Sequence, residues 1–293
     1  MMIQGSVFRE ISDSGEGDSE LIRQSLEGDR GALEKLILRH QGWIYNIAFK
    51  MVMDHDDACD ITQEILIKAV TSLSSYDPHK GAFRTWLYRI TANHVLTMKK
   101  KKFELRIHDI ETYVSLIEKL PDDRYYSRPD RNILEEEIKN GCMMGMLMCL
   151  SRKERIVFIL GGIFGITDAE GSEILEISRE NFRKILSRGR KKIYSHINGF
   201  CGHVDPRNPC RCSHKISSFL TYGMADPGNL RYHRPSDPAV RDVISDKYEN
   251  FVDLYYYPFF EHYRQQPFCS PPDMTQWLRD ILQHEQFKEI FNL

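Results

Sequence analysis

The spacing of apolar residues in the first third of the chain is the feature that most limits its fold. From Ser19 onward, these residues recur near the period of an α-helix. The recurring positions are Leu21, Ile22, Leu26, Ala32, Leu33, Leu36, Ile37, Ile44, Ile47, Ala48 and Met51, and in a further helix Ile61, Ile65, Leu66, Ala69 and Val70 are predicted to face inward. Turn and capping residues interrupt the pattern at 29–31 and 54–57. The pattern predicts an all-α fold.

Helical patterning continues beyond this region, with breaks that divide the chain. We predict helices over 56–73, 83–100, 133–150 and 151–161, and a linker with some local helix over 103–133. At 293 residues, the chain exceeds the usual size of one domain. The prediction is two helical domains joined by a linker, followed by a small C-terminal extension.

The composition excludes some classes of protein. Hydrophobic residues make up 41% and charged residues 28% of the chain, which argues against wholesale disorder. No apolar run approaches the roughly 20 residues that a membrane-spanning helix needs. Residues 1–18, predicted to be a disordered tail, are too polar for a secretory signal. We therefore expect a cytoplasmic protein without a membrane partner, whose 7 cysteines are thiols or metal ligands rather than disulfides.

A segment between Tyr76 and Lys102 combines aromatic and basic residues at high density. These residues are Tyr76, Phe83, Arg84, Trp86, Tyr88, Arg89 and the lysine run 99–102. Aromatic faces stack on unpaired bases and cations hold the flanking phosphates, so the segment is typical of a single-strand platform. The alternative is a set of core aromatics beside a lysine-rich helix end, and Phe83 and Leu87 are expected in the core in either case.

Residues 168–192 have the spacing of a helix-turn-helix. We predict one helix over 168–175, a turn through 176–178, and a second helix from Arg179 that is capped by the Ser178 hydroxyl. Phe182, Ile185 and Leu186 should bury the second helix. The outer residues of that helix, placed to enter a major groove, are Arg179, Asn181, Arg183, Lys184, Ser187, Arg188, Arg190 and Lys191. The alternative is a helical hairpin with a basic solvated face.

The stretch "CGHVDPRNPCRCSHK" concentrates soft ligands after the second helix. Cys201, His203, Cys210, Cys212 and His214 suit zinc or another thiophilic ion. Two other interpretations stay open. The cysteines are reduced thiols in a small packed turn, or they form a redox switch whose thiol pKa values are lowered by nearby basic residues.

Three quoted segments, in order, carry a resemblance to a known family. "DACDITQEILIKAV", "GAFRTWLYRITANHVL" and "LSRKERIVFIL", followed by the helix-turn-helix, resemble a bacterial RNA polymerase sigma factor of the extracytoplasmic-function type, here with a Cys-containing C-terminal extension. The resemblance implies sigma region 2 over 19–102, a linker over 103–133, sigma region 4 over 134–198 and a regulatory extension over 199–293.

The resemblance also implies a function and residues that perform it. Such a protein binds core RNA polymerase, directs it to promoters and helps to melt them, without enzymatic activity and without a cofactor for DNA binding. The polymerase-binding residues would be Asp57, Asp60, Gln63 and Glu64. The minus-10 DNA-binding residues would be Tyr76, His79, Lys80, Arg84, Trp86, Tyr88, Arg89 and Asn93. The minus-35 DNA-binding residues would be Arg179, Asn181, Arg183, Lys184, Ser187, Arg188 and Lys191.

Two other functions compete with this interpretation. A metal-sensing helix-turn-helix regulator that is not a polymerase subunit would account for residues 168–192, but it assigns no role to "DITQE" or to the aromatic-basic segment. A metal-dependent enzyme centred on residues 201–214 would need an open coordination position and a paired acid or base, and neither is visible. An anti-sigma factor or another regulator is a possible further partner.

Overall fold

A computed structural model describes residues 15–107, 109–233, 237 and 257–283. Within these ranges the chain is helical, without a strand. The α-helices are α1 (Gly15–Leu26), α2 (Arg30–Val52), α3 (His55–Thr71), α4 (Phe83–Thr97), α5 (Ile110–Lys119), α6 (Arg131–Met148), α7 (Arg152–Val157), α8 (Asp168–Ile174), α9 (Arg179–Ile197), α10 (Ile216–Thr221), α11 (Tyr257–Arg264) and α12 (Thr275–Gln283). Short 3-10 turns lie at Leu73–Ser75 and Cys212–Lys215, and a π-helical turn lies at Phe158–Ile163.

Helices α2 and α3 begin at the residues that the turn and capping chemistry predicts. The Asp29 carboxylate accepts hydrogen bonds from the backbone N–H groups of Gly31 and Ala32, and Asp54 accepts one from Asp57. Helix α2 ends at a left-handed residue, Met53, with φ of 62°. These caps satisfy backbone donors that a helix leaves unpaired at its first turn.

The buried face of helices α2 to α4 confirms the predicted periodicity. Ile61, Ile65, Leu66 and Ala69 are all buried, whereas Val70 is half-buried. Helix α4 ends three residues earlier than predicted, because the Arg152 guanidinium donates hydrogen bonds to carbonyls of the segment that follows it. The acceptors of Arg152 are the carbonyl of Leu96 in the last turn of α4 and the carbonyls of Met98 and Lys99 just after it. The lysine run therefore follows the helix instead of forming its last turn.

The predicted helix-turn-helix is present as α8 and α9. The Thr167 hydroxyl and the Glu170 carboxylate form a reciprocal capping box at α8, and Ser178 caps α9 by accepting a hydrogen bond from the Asn181 N–H. Glycine is unfavourable inside a helix, yet Gly171 lies within α8. A Cβ atom there would lie 2.3 Å from the Phe182 ring. Gly171 therefore allows α8 to cross α9 closely.

The predicted separation into two domains does not correspond to two separate cores. A single cluster of buried apolar side chains includes residues from α1 to α4, from α6 to α9 and from the C-terminal extension. Trp43 of α2 shows this directly, because its ring lies 4.9 Å from that of Phe164 and 5.9 Å from that of Phe268. The helices of both predicted domains and the extension pack together in this structure.

The prediction of a disordered tail over 1–18 is wrong for its last residues. Helix α1 begins at Gly15, and Asp18 is buried against Arg39 and His40 at 2.5 and 3.0 Å. These contacts hold the first turns of α1 in place, since the Arg39 guanidinium and the His40 ring both lie within hydrogen-bond distance of the buried carboxylate. Residues 1–14 lie outside the described residues. Among the helices that the structure describes, none is long and apolar enough to cross a membrane.

Candidate nucleic-acid interface

The loop before α4 and the first turns of that helix form an aromatic cluster. The Trp86 ring stacks on Phe83 at 5.4 Å and is tilted against Tyr76 at 5.7 Å. The Tyr76 hydroxyl donates a hydrogen bond to the Gly81 carbonyl, which closes the loop over 76–82. Phe83 is buried, whereas Tyr76 and Trp86 are half-buried and keep part of their rings accessible.

Charged and polar side chains surround this cluster. His79, Lys80 and Asn93 are exposed, and Arg84 is half-buried. The Arg84 guanidinium lies 4.4 Å from the centre of the Trp43 ring, a cation–π distance. We call the accessible set the aromatic-basic surface, and it consists of Tyr76, His79, Lys80, Arg84, Trp86, Arg89 and Asn93.

The structure contradicts the prediction that Tyr88 belongs to this surface. Tyr88 is 2% exposed, and its hydroxyl accepts a hydrogen bond of 3.1 Å from Arg84 Nε. Burial raises the pKa of this phenol above its ordinary value. Tyr88 is therefore a core residue that positions Arg84. Leu87 is buried as expected.

The predicted polymerase-binding residues lie on helix α3. Asp60 and Glu64 are exposed, whereas Asp57 and Gln63 are half-buried. Lys101 forms an ion pair of 2.9 Å with Asp57, and the hydrogen bond between them raises the lysine pKa. The lysine run is thus directed in part toward the acidic face of α3 rather than only toward nucleic acid.

The basic face of α9 is largely accessible. Asn181 is half-buried, and the exposed members of the predicted set are Arg179, Arg183, Lys184, Ser187, Arg188 and Lys191. Arg183 lies 3.3 Å from Asp168, and Lys184 lies 2.7 Å from Glu180. Both basic partners are exposed, and ion pairs at the surface contribute little to stability. Arg190 does not face outward as the periodicity predicts, because it is 7% exposed and lies on the buried side of the helix.

The Cys/His segment folds back on helix α6. The backbones of Cys201 and Cys210 form a bridge, and the Cys142 thiol of α6 interacts electrostatically with both of their thiols. Burial, followed by the neighbouring thiols, raises the pKa of Cys212. Burial raises the pKa of Cys210 to about 11. The raised pKa values of Cys210 and Cys212 are contrary to the redox interpretation, which needs lowered thiol pKa values.

An adjacent cavity of about 30 Å³ is lined in part by sulfur and imidazole groups. These residues are Cys142, Cys201, His203, Cys212 and His262. His214 is not among the lining residues, and its Nδ1 lies 4.0 Å from an Asp122 carboxylate oxygen. Across the described ranges, no three His, Cys, Asp or Glu side chains form a group that could hold a metal ion. The zinc site therefore stays a prediction.

The predicted ligand set omitted two residues that the fold brings to this cavity. Cys142 lies 59 positions before Cys201 in the chain, and His262 lies 59 positions after His203. Ligand-spacing patterns cover short separations only. Their positions in the sequence therefore carried no signal that could have found them.

Comparisons with known proteins identify the region of the chain that contains the aromatic-basic surface. The family described as Sigma-70 region 2 matches residues 36–103, which include α3, the loop and α4. The chain is 28% identical over 178 residues to the "ECF RNA polymerase sigma factor SigE" of Mycolicibacterium smegmatis, covering 58% of this chain and 64% of that protein. It therefore spans a little under two thirds of that relative's length.

Other relatives are matched over different extents. The chain is 28% identical over 186 residues to the "ECF RNA polymerase sigma factor SigW" of Bacillus subtilis, covering 60% of this chain and 94% of that protein. A solved structure titled "Structure of CnrH in complex with the cytosolic domain of CnrY" is 21% identical, with a TM-score of 0.44, and covers 62% of this chain and 97% of that one.

The chain combines a segment that matches Sigma-70 region 2, which contains the aromatic-basic surface, with a helix-turn-helix formed by α8 and α9. The chain therefore contains a segment that matches Sigma-70 region 2 over residues 36–103, and it is similar, at 28% identity, to two proteins named as ECF RNA polymerase sigma factors.

Proposed function

We propose that this protein directs core RNA polymerase to specific promoters and helps to melt them. The observation that carries the proposal is the aromatic-basic surface, which lies inside the matched region 2. Half-accessible rings of Tyr76 and Trp86 stand beside Arg84, Lys80 and Asn93. Unpaired bases present faces that stack on aromatic rings, and cations hold the adjoining phosphates.

The remaining surfaces receive roles that fit this activity. The basic face of α9 contacts the minus-35 element, with Arg183 and Lys184 gripping phosphates or bases. The acidic face of α3 around Asp60 and Glu64 binds the polymerase. Both relatives described above are named RNA polymerase sigma factors. The protein acts by binding, in the cytoplasm where promoter DNA lies, and an anti-sigma partner stays a prediction.

Run-off transcription tests the proposal. Purified core polymerase is supplied with a library of promoter fragments, with and without this chain, and the transcripts are sequenced. We expect discrete start sites that depend on the chain. A metal-sensing regulator would instead alter transcription from a holoenzyme that already contains another sigma factor, and would give no transcript with core polymerase alone.

A further inference from the structure

The two DNA-facing parts of the chain touch each other in this structure. Arg89 of the aromatic-basic surface donates a hydrogen bond of 3.3 Å to the Glu173 carbonyl, and its Nε lies 3.5 Å from the Glu176 carboxylate. Glu173 also reaches the loop, since a Cβ atom at Gly81 would lie 2.9 Å from its carboxylate. Acidic residues of the helix-turn-helix therefore lie next to Arg89, a cation with a proposed role in DNA binding.

This contact is incompatible with simultaneous reading of both promoter elements. The minus-10 and minus-35 elements are about 25 base pairs apart by their numbering, or about 85 Å at roughly 3.4 Å per base pair. In the structure, α4 contacts α8, and α8 packs directly on α9 through Gly171 and Phe182. The two surfaces must therefore separate before the chain can span a promoter.

One segment of the C-terminal extension forms hydrogen bonds with both region 2 and the helix-turn-helix domain. Cys269 exchanges two backbone hydrogen bonds, of 2.8 and 2.9 Å, with the Asn46 side chain on α2. A few residues earlier, Gln266 donates to the Asn140 carbonyl on α6, and Arg264 donates to the Gly162 carbonyl. A short stretch of chain is thus bonded to region 2 and to the helices of the helix-turn-helix domain.

A second segment of the extension makes the same connection. The Glu137 carboxylate on α6, which is 1% exposed, accepts hydrogen bonds of 2.8, 2.9 and 2.6 Å from the N–H groups of residues 231, 232 and 233. The Arg231 carbonyl lies 2.5 Å from His55 Nε2 at the start of α3. The Tyr232 hydroxyl donates to the Met53 carbonyl. Hydrogen bonds to a buried charge are the strong ones.

We propose that residues 231–233 and 263–269 form an intramolecular clamp that holds region 2 against the helix-turn-helix and keeps the factor closed until the extension is released. The proposal rests on the proposed function, because closure matters only to a protein that must span two promoter elements. An apolar contact adds to these hydrogen bonds, because the Phe268 ring of the extension packs against Trp43 of α2. The extension is then a built-in inhibitor whose release opens the factor.

The test uses the full chain with two substitutions, Asn46→Ala and Glu137→Gln, which remove the anchors without touching either DNA-facing surface. Glu136→Gln, on the same helix but paired with Lys139 instead, is the matched control. Small-angle scattering gives the radius of gyration of the free chain, and run-off transcription with limiting chain gives activity. Circular dichroism confirms that the helices persist.

We expect the double variant to have a larger radius of gyration and about tenfold more transcript, because a closed majority lowers apparent affinity by the fraction that is open. The control should match the parent in both. Asn46→Ala alone should shift both readouts less, in the same direction, and it covers the case in which the double variant does not fold. An unchanged radius in a folded variant, or a larger radius with less transcript, overturns the clamp. Scattering needs no polymerase, so loss of all transcription in the parent would refute the proposed function separately.

Discussion

The guanidinium of Arg155 and the carboxylate of Glu104 form an ion pair of 3.1 Å in which each side chain is 3% exposed. Arg155 also donates hydrogen bonds to the carbonyls of Met51, Leu147 and Leu150. It thereby joins the end of α2, the linker and the end of α6. A buried charge that loses its partner is costly, so this pair makes the junction sensitive to substitution.

Glu104→Gln is expected to lower the free energy of unfolding by about 3–5 kcal/mol, because Arg155 keeps its buried charge without a counter-charge. Chemical denaturation at neutral pH measures this, with the exposed residue Glu118→Gln as control. Burial by itself raises the Glu104 pKa, but hydrogen bonding to Arg152 and the charges of both arginines leave it lowered from 4.5. The parent should therefore lose this stabilisation as the pH falls below about 4.5 through the folded pKa. An equal acid dependence in the variant would contradict the assignment.

Lys50→Met is expected to stabilise the fold by about 2–3 kcal/mol at pH 7. Lys50 is 1% exposed, and burial lowers its pKa from 10.5 to about 8. Between these values the unfolded chain binds more protons than the folded chain, so the parent's stability should rise with pH over about 8 to 10.5. Thermal melts across that range measure the slope, which Lys50→Met should lack. The exposed Lys35→Met should retain it, and a destabilised Lys50→Met would show that the ammonium has a compensating role.

Trp86→Ala is expected to impair promoter melting more than polymerase binding. The ring is accessible beside Tyr76, and loss of one stacked base costs about 1–3 kcal/mol. Permanganate footprinting on duplex and on premelted promoters separates the two steps. The variant should fail on the duplex and recover on the premelted template. Equal melting of the duplex by variant and parent would remove Trp86 from the proposed role.

Reversing the charges on α9 tests the minus-35 contact. Arg183→Glu with Lys184→Glu should abolish use of promoters that depend on the minus-35 element and should reduce the salt dependence of binding by about one counterion per lost phosphate contact. Binding titrations at several salt concentrations measure both effects. Lys153→Glu, an exposed residue on α7, serves as the charge control. A salt dependence that stays at the parent's value would place DNA elsewhere.

The predicted zinc ligands are Cys201, His203, Cys210, Cys212 and His214, and the cavity adds Cys142 as an alternative ligand. Metal analysis of the parent and of cysteine variants tests both ligand sets. If the zinc prediction holds, elemental analysis of protein purified without added metal gives about one equivalent of zinc, which is lost in Cys210→Ser with Cys212→Ser. A Cys142→Ser variant that also loses zinc would favour the cavity thiols over the loop residues alone. Metal below one equivalent in every variant, with unchanged transcription, would leave buried thiols as the better account.

Local features of the sequence determined much of the fold. The caps at Asp29, Asp54 and Ser178 act on donors within three residues, so a short segment contains everything needed to predict where those helices begin. The exposed basic face of α9 follows in the same way, since its periodicity needs only the identity of each residue. The resemblance carried by "DITQE" and "FRTWLYRI" points to the sigma factors from the sequence alone.

Tertiary packing decided what a local pattern could not. The sequence pattern places Tyr88 on a DNA surface, but Tyr88 is buried and its ring packs against Trp43, which lies far away in the chain. Arg190 is buried and Cys142 joins the Cys/His cavity for the same reason. Closure of region 2 on the helix-turn-helix depends on Glu137 and Asn46, whose partners lie 94 to 223 residues away. Sequence periodicity predicts which face of a helix is apolar, whereas only the sum of long-range contacts determines which element covers that face.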